Sequence, residues 1–578
     1  MKQLLAAVIA LVEAEGERLA AEFLAPNGPR GQRGSAPIDR EIEERLREKL
    51  QALLPCTYIG EETGVDERQS AEIWMVDPQD GTFEFTSGKR GSAISVALLK
   101  NKVPALGVVH SPLSPDRGRD TIAWAEGAGP IQRNGKALAV DLSQRLLRAG
   151  EYVFATGSSA LRPGAWSRAV APARYIAMPS IAYRLARVAA GDGAATVSIH
   201  GVNEYDVAAG MALMRGAAGV VLDAEGKAVE LTGTLERRLS GCFAGSPGAA
   251  AQLAAHDWKS LEREPSLKAR AILGFPRRAP EARVDRAQAC LLGQVIGDSL
   301  GSLVEFKDAD EIARLYPGGV RELADGGVYH TIAGQPTDDS EMALALARNL
   351  VGERAFQPEK ILEKYREWLL TRPVDIGATT ERGLLGLHTT DSESNGSLMR
   401  VSPIGVWAAG DPARAAEAAR ADSALTHKNP LCVEACAGYA AAIAAGVAGA
   451  SREAMREAAL ANCRGRAREA IETARLPADF MTQMGWVLIA LRNAFFHLKS
   501  SSFESALVET VGRGGDSDTN AAICGALLGA ALGRQAIPSR WILPVLACRA
   551  TVEAGAPRPR PPAYWPDDVL ELAEALLQ

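Results

Sequence analysis

Aromatic residues are scarce, 5% of 578 positions, and cysteine is scarcer: eight residues, scattered, with no C-x-x-C pair. That spacing excludes a dense disulfide framework and leaves reduced thiols packed in a core. Long apolar runs are missing as well. The first segment, MKQLLAAVIALVEAEGERLAAEF, is broken by Glu13, Glu15 and Glu17 and has no small-residue cleavage site, so it reads as an amphipathic first helix. The small-residue stretch from Ala435, ACAGYAAAIAAGVAGA, is dominated by alanine and glycine and falls short of the roughly 20 strongly apolar residues of a membrane span. It reads as a tightly packed buried helix. No sign of charge dominates: a net charge of -6 gives no electrostatic reason for a nucleic-acid backbone or an anionic membrane as main partner. The expectation is a cytoplasmic chain without membrane association, acting on small or protein-attached substrates, with the oligomeric state left open.

What is present is ordinary globular composition, 47% hydrophobic and 23% charged, in a chain long enough for two or three domains. Up to about residue 256 helical segments (2–23 and 39–54) give way to short β-rich runs, IWMVD, AISVALL and ALGVVHSP, an α/β layered pattern. From residue 285 to 578 the β-branched runs vanish and Ala/Leu-rich helices follow one another, an all-α domain. Residues 257–284, charged and punctuated by proline, suit an exposed linker.

Three acidic features mark the first half: Glu61-Glu62 after Gly60, then Asp77-Pro78-Gln79-Asp80-Gly81-Thr82, then Asn203-Glu204-Tyr205-Asp206. Asp77 closes an apolar run, so its carboxylate lies at a strand end, and Pro and Gly turn the chain so that Asp80 and Thr82 address the same spot. Mg²⁺ takes several oxygen ligands in near-octahedral array, which carboxylates and a carbonyl supply. Taken singly, Asp-Pro-x-Asp-Gly-Thr is also a turn, since these residues favour turns for backbone reasons.

In order and spacing the three segments resemble the inositol monophosphatase superfamily over about 240 residues. DPQDGTFEFTSG is most similar there to the 3'(2'),5'-bisphosphate nucleotidase branch, and YDVAAGMALMRGAAGVVLDAEGK to the family's last metal segment. The resemblance implies a layered αβαβα phosphatase fold and two or more Mg²⁺ held by Glu61, Asp77, Asp80, Asp206 and the Gln79 carbonyl. It implies Glu61, Asp80 and Thr82 as catalytic residues, Gly81 and Thr82 against the substrate, and a phosphorylated nucleotide or inositol-type small molecule as that substrate. Metal ions of this kind lower the pKa of bound water and clamp phosphate oxygens. The chain departs from the family pattern in Tyr205, where Trp is usual, and in SAPID before Asp39, which lacks the usual Thr. Arg184 stands where the nucleotidases carry a Lys; it reads equally as a phosphate ligand and as a solvated helix charge.

In the second half two motifs mirror each other, Thr337-Asp338-Asp339-Ser340-Glu341 and Gly514-Gly515-Asp516-Ser517-Asp518-Thr519-Asn520, each before an apolar helical run. One such residue would cap a helix; three or more acids and hydroxyls at two helix starts call for a cation. With LLGQVIGDSLGSLVEF, NGSLMRVSPIGV, THKNPLCVEACAGYAAAI, GWVLIALRNAFFHLKSSSFESAL and RPRPPAYWPDDVLELAEALL, they resemble the ADP-ribosylglycohydrolase family, which includes the dinitrogenase reductase activating glycohydrolase, over 285–578. The resemblance implies a centre of two Mg²⁺ (Mn²⁺ in its place) on Thr337, Asp338, Asp339, Asp516, Asp518 and Thr519, with Asp339, Asp516 and Glu305 catalytic. Glu305, Gly396, Ser397, Met399 and His427 would line the substrate, an ADP-ribosylated protein, nucleic acid or small molecule. Glu305 and His427 have bland readings too, a solvated helix end and a packed or capping histidine. Intact metal sets favour a bifunctional Mg²⁺-dependent hydrolase, one head releasing phosphate and the other ADP-ribose; the alternative is that one domain is a non-catalytic ADP-ribose- or nucleotide-binding module serving the other.

Overall fold

The computed structural model describes residues 1–32, 34–267, 279–387 and 390–578. The chain forms two compact units, Met1–Arg277 and Arg278–Gln578. Of the linker expected over 257–284, residues 268–278 lie outside the described residues; the flanks carry a 3₁₀ turn, Trp258–Arg263, and the start of a helix at Glu281.

The first unit is layered α/β/α/β/α. Its larger sheet has eight strands in the order Gly64–Asp66, Thr57–Gly60, Glu72–Asp80, Ala93–Lys100, Val103–Ser114, Gly118–Ala125, Gln132–Arg133 and Lys136–Ala137. All neighbours are antiparallel except Thr57–Gly60 and Glu72–Asp80, which run parallel. Ala93–Lys100 is buried on both faces, which explains why it reads as a continuous apolar run instead of alternating. Helices Lys2–Phe23 and Pro37–Leu53 lay Leu5, Val8, Val12, Ile42 and Leu46 on one face of this sheet. Two glycines set how near the helices come to the central strand: a Cβ at Gly16 would lie 2.3 Å from the His110 ring, and one at Gly107 2.3 Å from the Ala209 carbonyl of helix Glu204–Gly216. That helix and Ile181–Ala189 form the middle layer. Behind them stands a five-stranded sheet, Arg174–Met178, Tyr152–Thr156, Ala195–Ser198, Cys242–Gly245 and Val220–Leu222, covered on its far side by Trp166 and Leu253 of two further helices.

The second unit is helical. Helix Glu281–Gly301 runs against Ser517–Leu532 along a glycine seam. A Cβ at Gly293 would meet the Gly525 carbonyl at 2.2 Å, one at Gly297 the Ala521 carbonyl at 2.1 Å, and one at Gly529 the Ala289 carbonyl at 2.0 Å. Four-residue spacing stacks these glycines on one helix face, so the backbones touch. Among the described residues one helix, Pro430–Val447, has the length and hydropathy to cross a membrane, and 78% of it is buried inside this unit. It is a core helix, as its alanine and glycine content implies.

Candidate active sites

In the first unit the parallel pairing places Gly60 opposite Val76, so Glu61 follows beside Asp77 at the ends of adjacent strands. Register then shifts between Asp77, opposite Ser95, and Asp80, opposite Ala93. The extra residue is a bulge that re-aims Asp80. Gly81 at φ 95° turns the chain, and Thr82 begins a short helix. Asp80 accepts from the Ser180 hydroxyl and the Ala182 N–H, both at 2.6 Å, at the start of helix Ile181–Ala189. Asp206, third residue of helix Glu204–Gly216, accepts from the Asn203 N–H at 2.7 Å in a capping box. The Gln79 carbonyl accepts from the Thr82 hydroxyl at 2.9 Å.

These carboxylates lie close enough to hold back one another's ionisation. Burial first, then the charges of Glu61, Asp80 and Asp206, raises Asp77 well above the carboxylate range. Asp206 is raised in the same way, by burial and then by Asp80. Loss of water followed by Glu62 and Asp80 pushes Glu61 up to about 7, although the residue borders solvent. Acids that hinder each other's ionisation at neutral pH are what a bound cation relieves. Among the described residues, triples of acidic ligand atoms within 4.8 Å of one another occur only in the second unit; here Asp80 turns one oxygen to the helix end.

Asp39, the acid that ends the departing SAPID segment and stands outside the implied metal set, joins this group. It is 3% exposed, 3.3 Å from the Thr82 hydroxyl, with its other oxygen unpartnered, and burial followed by Glu62 pushes it up to about 8. Arg184 is not a solvated helix charge: it is fully buried, and its guanidinium donates to the Val197 carbonyl at 2.7 Å, the Ser198 hydroxyl at 2.9 Å and the Ser180 carbonyl at 3.2 Å. Donors so committed brace the strand and helix beneath Asp80 and are not presented to a substrate.

In the second unit the seam brings the C-terminal end of helix Glu281–Gly301 to the first turn of Ser517–Leu532; a Cβ at Gly301 would lie 2.4 Å from the Asp518 backbone. Two acidic triples result, Asp298 with Asp339 and Asp518, and Glu305 with Asp516 and Asp518, the ligand atoms of each within 4.8 Å of one another. Asp518 belongs to both. Asp298, inside GDSLG, was not legible as a site residue. It is fully buried and accepts from the Thr337 N–H (3.0 Å), the Thr337 hydroxyl (2.9 Å) and the Ser340 N–H (3.0 Å), which orients the Thr337-Asp338-Asp339 turn. Thr519 donates its N–H to Asp518 at 2.9 Å, and Asn395 donates to Asp516 at 2.8 Å. Asp339 keeps one buried oxygen without a partner, and so does Glu305. Burial, then Asp298 and Asp338, raises Asp339 well above its range; burial, then Asp516 and Asp375 against a bond to Asp518, pushes Glu305 up to about 8. Asp338 is raised by burial and then by Asp375. Each triple thus carries one buried carboxylate oxygen without a partner, the kind of donor a hard cation takes.

Glu305 leaves the helix on a loop tied to the opposite motif, since Phe306 donates its N–H to the Gly515 carbonyl at 2.8 Å and Gly515 donates back to Lys307 at 3.0 Å. It is 4% exposed, no solvated helix end. Tyr329 and Asp375 lie close enough to interact with it. Gly396 lies against His427, whose ring would be 3.1 Å from a Cβ there. His427 shares hydrogen bonds with Ser394 (3.0 Å) and Thr426 (2.8 Å), and burial followed by the Arg400 charge pulls it down to about 3. Ser397 and Met399 are buried: Ser397 accepts from Ser423 at 2.9 Å, and the Met399 carbonyl is bridged through Gln294 to that of Asp339. They stand behind the Asn395 loop.

Comparison with known proteins agrees with this division. The inositol monophosphatase family model matches residues 4–262 and the ADP-ribosylglycohydrolase model residues 279–577. The second half is similar to the ADP-ribosyl-[dinitrogen reductase] glycohydrolase of Rhodospirillum rubrum, 33% identical over 274 residues, 45% of this chain and 89% of that protein. It is also similar to the ADP-ribosylarginine hydrolase Tri1 of Pseudomonas putida, 27% identical over 46% of this chain and 75% of that protein. The first half is similar to the fructose-1,6-bisphosphatase/inositol-1-monophosphatase of Thermotoga maritima, 31% identical over 194 residues, 33% of this chain and 71% of that protein. The bisphosphate nucleotidase branch is not singled out by these matches. With two acidic sites and two matches that do not overlap, the chain belongs to two hydrolase families at once, inositol monophosphatase in its first unit and ADP-ribosylglycohydrolase in its second.

Proposed function

We propose that the chain is a two-headed, Mg²⁺-dependent hydrolase: the first unit releases phosphate from a nucleotide or inositol-type phosphomonoester, and the second hydrolyses an ADP-ribosyl bond. The observation that carries the second assignment is Asp518, shared by two carboxylate triples with orphaned oxygens on Asp339 and Glu305. Thr337, Asp338, Asp339, Asp516, Asp518 and Thr519 would hold two cations, with Asp298 fixing the threonine. Bound there, the metal supplies Lewis acidity toward ribose hydroxyls and water. The protein's own carboxylates stabilise the positive charge that develops at the anomeric carbon. Glu305, with its unpartnered oxygen beside Asp516 and Asp518, is placed to take the proton of the attacking water once bound cations hold it ionised. Asp375, outside both triples but beside Glu305 and Tyr329, suits a cationic leaving group, and a guanidinium fits that charge; the arginine hydrolase among the relatives supports this acceptor.

In the first unit Glu61, Asp77, Asp80, Asp206 and the Gln79 carbonyl would hold Mg²⁺, which supplies charge neutralisation at the phosphate and an acidified water. Thr82 is fixed by Gln79 and Asp39; its hydroxyl orients the water, and Asp39 receives the proton. Phe83, 60% exposed directly after Thr82, favours a substrate with an aromatic base over a polyol. Eight buried cysteines at scattered positions fit a reducing cytoplasm.

The test is a panel of nucleotide phosphates, inositol phosphates, fructose bisphosphate and ADP-ribosylated arginine, with and without Mg²⁺, for the wild-type chain and Asp80→Asn and Asp516→Asn. Each substitution should lower its own product by ~10²-fold or more and spare the other. Full retention of both products in both variants overturns the assignment.

A further inference from the structure

The loop that carries Glu61 has no regular structure of its own to hold it. Residues 61–63 form a turn between strands Thr57–Gly60 and Gly64–Asp66, and Glu61 and Glu62 are solvent-exposed. A turn with like charges at its tip would splay outward unless fastened from beneath. The fastening is a carboxylate from another element. Glu43, on the inner face of helix Pro37–Leu53, is completely buried and accepts three hydrogen bonds from this turn: from the Glu62 N–H at 2.8 Å, the Thr63 N–H at 2.7 Å and the Thr63 hydroxyl at 2.5 Å. Burial raises its pKa despite these donors, the first of which is the Thr63 hydroxyl.

We infer that Glu43 is a positioning residue of the phosphatase site, holding the Gly60–Thr63 turn so that the Glu61 carboxylate is kept beside Asp77 for the cation. The inference rests on the reading of Glu61 as a metal ligand. Two features beyond the hydrogen bonds support it. A Cβ at Gly60 would lie 2.0 Å from Glu43 Oε1, so the residue before Glu61 is glycine because the clamp occupies the space of a side chain. The same helix carries Asp39, one turn before Glu43, so a single rigid element presents the partner of Thr82 and fastens the loop of Glu61. The geometry of two parts of the site is thereby tied to one helix. Exposed charge on Glu62 is then tolerated, because its backbone N–H and not its side chain makes the anchoring bond.

The experiment uses the full chain with Glu43→Gln, nearly isosteric but short of one acceptor and the charge, and Thr63→Val, which removes only the hydroxyl. Amide hydrogen exchange of the peptide spanning residues 58–66 should accelerate about tenfold in Glu43→Gln while peptides of the sheet and of the second unit stay unchanged. The Mg²⁺ concentration for half-maximal phosphate release should rise about tenfold, the loss typical of a residue that orients a metal ligand, with kcat at saturating Mg²⁺ kept within about threefold. Thr63→Val should shift both readouts in the same direction and less. Mn²⁺ affinity, measured by electron paramagnetic resonance in an Asp518→Asn background that weakens the second unit's site, should fall in parallel. Faster exchange with unchanged Mn²⁺ affinity and unchanged Mg²⁺ dependence overturns the positioning role, and unchanged exchange overturns the clamp itself. Should the wild-type chain release phosphate from no phosphomonoester, the phosphatase reading fails, whereas exchange and Mn²⁺ affinity still decide the inference.

Discussion

Glu341 stands two residues after Asp339 in the same acidic motif, yet it faces the other way. One turn of helix Asp338–Glu353 points Asp339 at the acid cluster and Glu341 into the core, where it meets Arg560 in a two-pronged ion pair, 2.7 Å at each oxygen, and accepts from the Trp368 ring N–H at 2.7 Å. Arg560 also donates to the carbonyls of Thr371 and Arg372, so the pair pins the C-terminal segment. Breaking a buried pair from one side leaves the other charge uncompensated, at about 3 kcal/mol. Glu341→Gln should therefore lower the denaturation midpoint of the second unit, while the surviving folded protein releases ADP-ribose normally. Asp339→Asn should do the reverse, abolishing release without loss of stability, because it removes a mutually repelling acid. Denaturant melts alongside product assays distinguish the two, and a Glu341→Gln chain that is stable but inactive would show the motif to have been partitioned wrongly. Arg184 teaches the same lesson from the basic side: its type and spacing admit a phosphate ligand, and only the carbonyls around it reveal a brace.

At the scale of elements, the glycine seam decides the second site. Asp298 and Glu305 come from the region of one helix end and Asp516 and Asp518 from the start of another, over 200 positions later; they meet because the two backbones touch at Gly293, Gly297, Gly525 and Gly529. A methyl group at Gly525 would sit 2.1 Å from the Gly293 carbonyl. Backbone cannot yield as a side-chain tip does, so Gly525→Ala should destabilise the unit by about 1–3 kcal/mol and separate the acid triples. Both the melting temperature and the Mg²⁺ requirement for ADP-ribose release report it; an unperturbed variant would mean that the helices can part without consequence. The first unit uses a different device, a bulge between Asp77 and Asp80 and strand ends in register, to collect acids from three segments.

For the whole molecule, pH acts on each unit through a buried neutral histidine. His110, wedged between helix Lys2–Phe23 and the sheet, is pulled by burial to about 4, against an ordinary value of 6.5. The unfolded chain thus binds a proton that the folded one refuses as pH falls from about 6.5 to 4. Stability contributed by the neutral ring is complete above that window and declines through it, by about 3 kcal/mol. His427 does the same in the second unit, down to about 3. The site carboxylates, whose raised pKa values make protonation stabilising, drift the opposite way, so the loss is read as a difference: between pH 7 and pH 4.5 in urea melts His110→Asn should lose less stability in the first unit than the wild-type chain; equal slopes would mean that other groups govern acid sensitivity.

The sequence by itself determined the division into a layered α/β half and a helical half, and both families, because strand-end Asp-Pro-x-Asp-Gly-Thr and paired Asp motifs at helix starts are local patterns whose residue types follow from cation chemistry. Only the tertiary structure decided which acids share a space. Glu43, Asp298, Asn395 and Asp375 look like any polar residue in a helix or loop, and their meaning comes from partners tens to hundreds of positions away. Periodicity fixes which face a side chain lies on, whereas convergence depends on how closely backbones pack, and that is set by where a glycine leaves room.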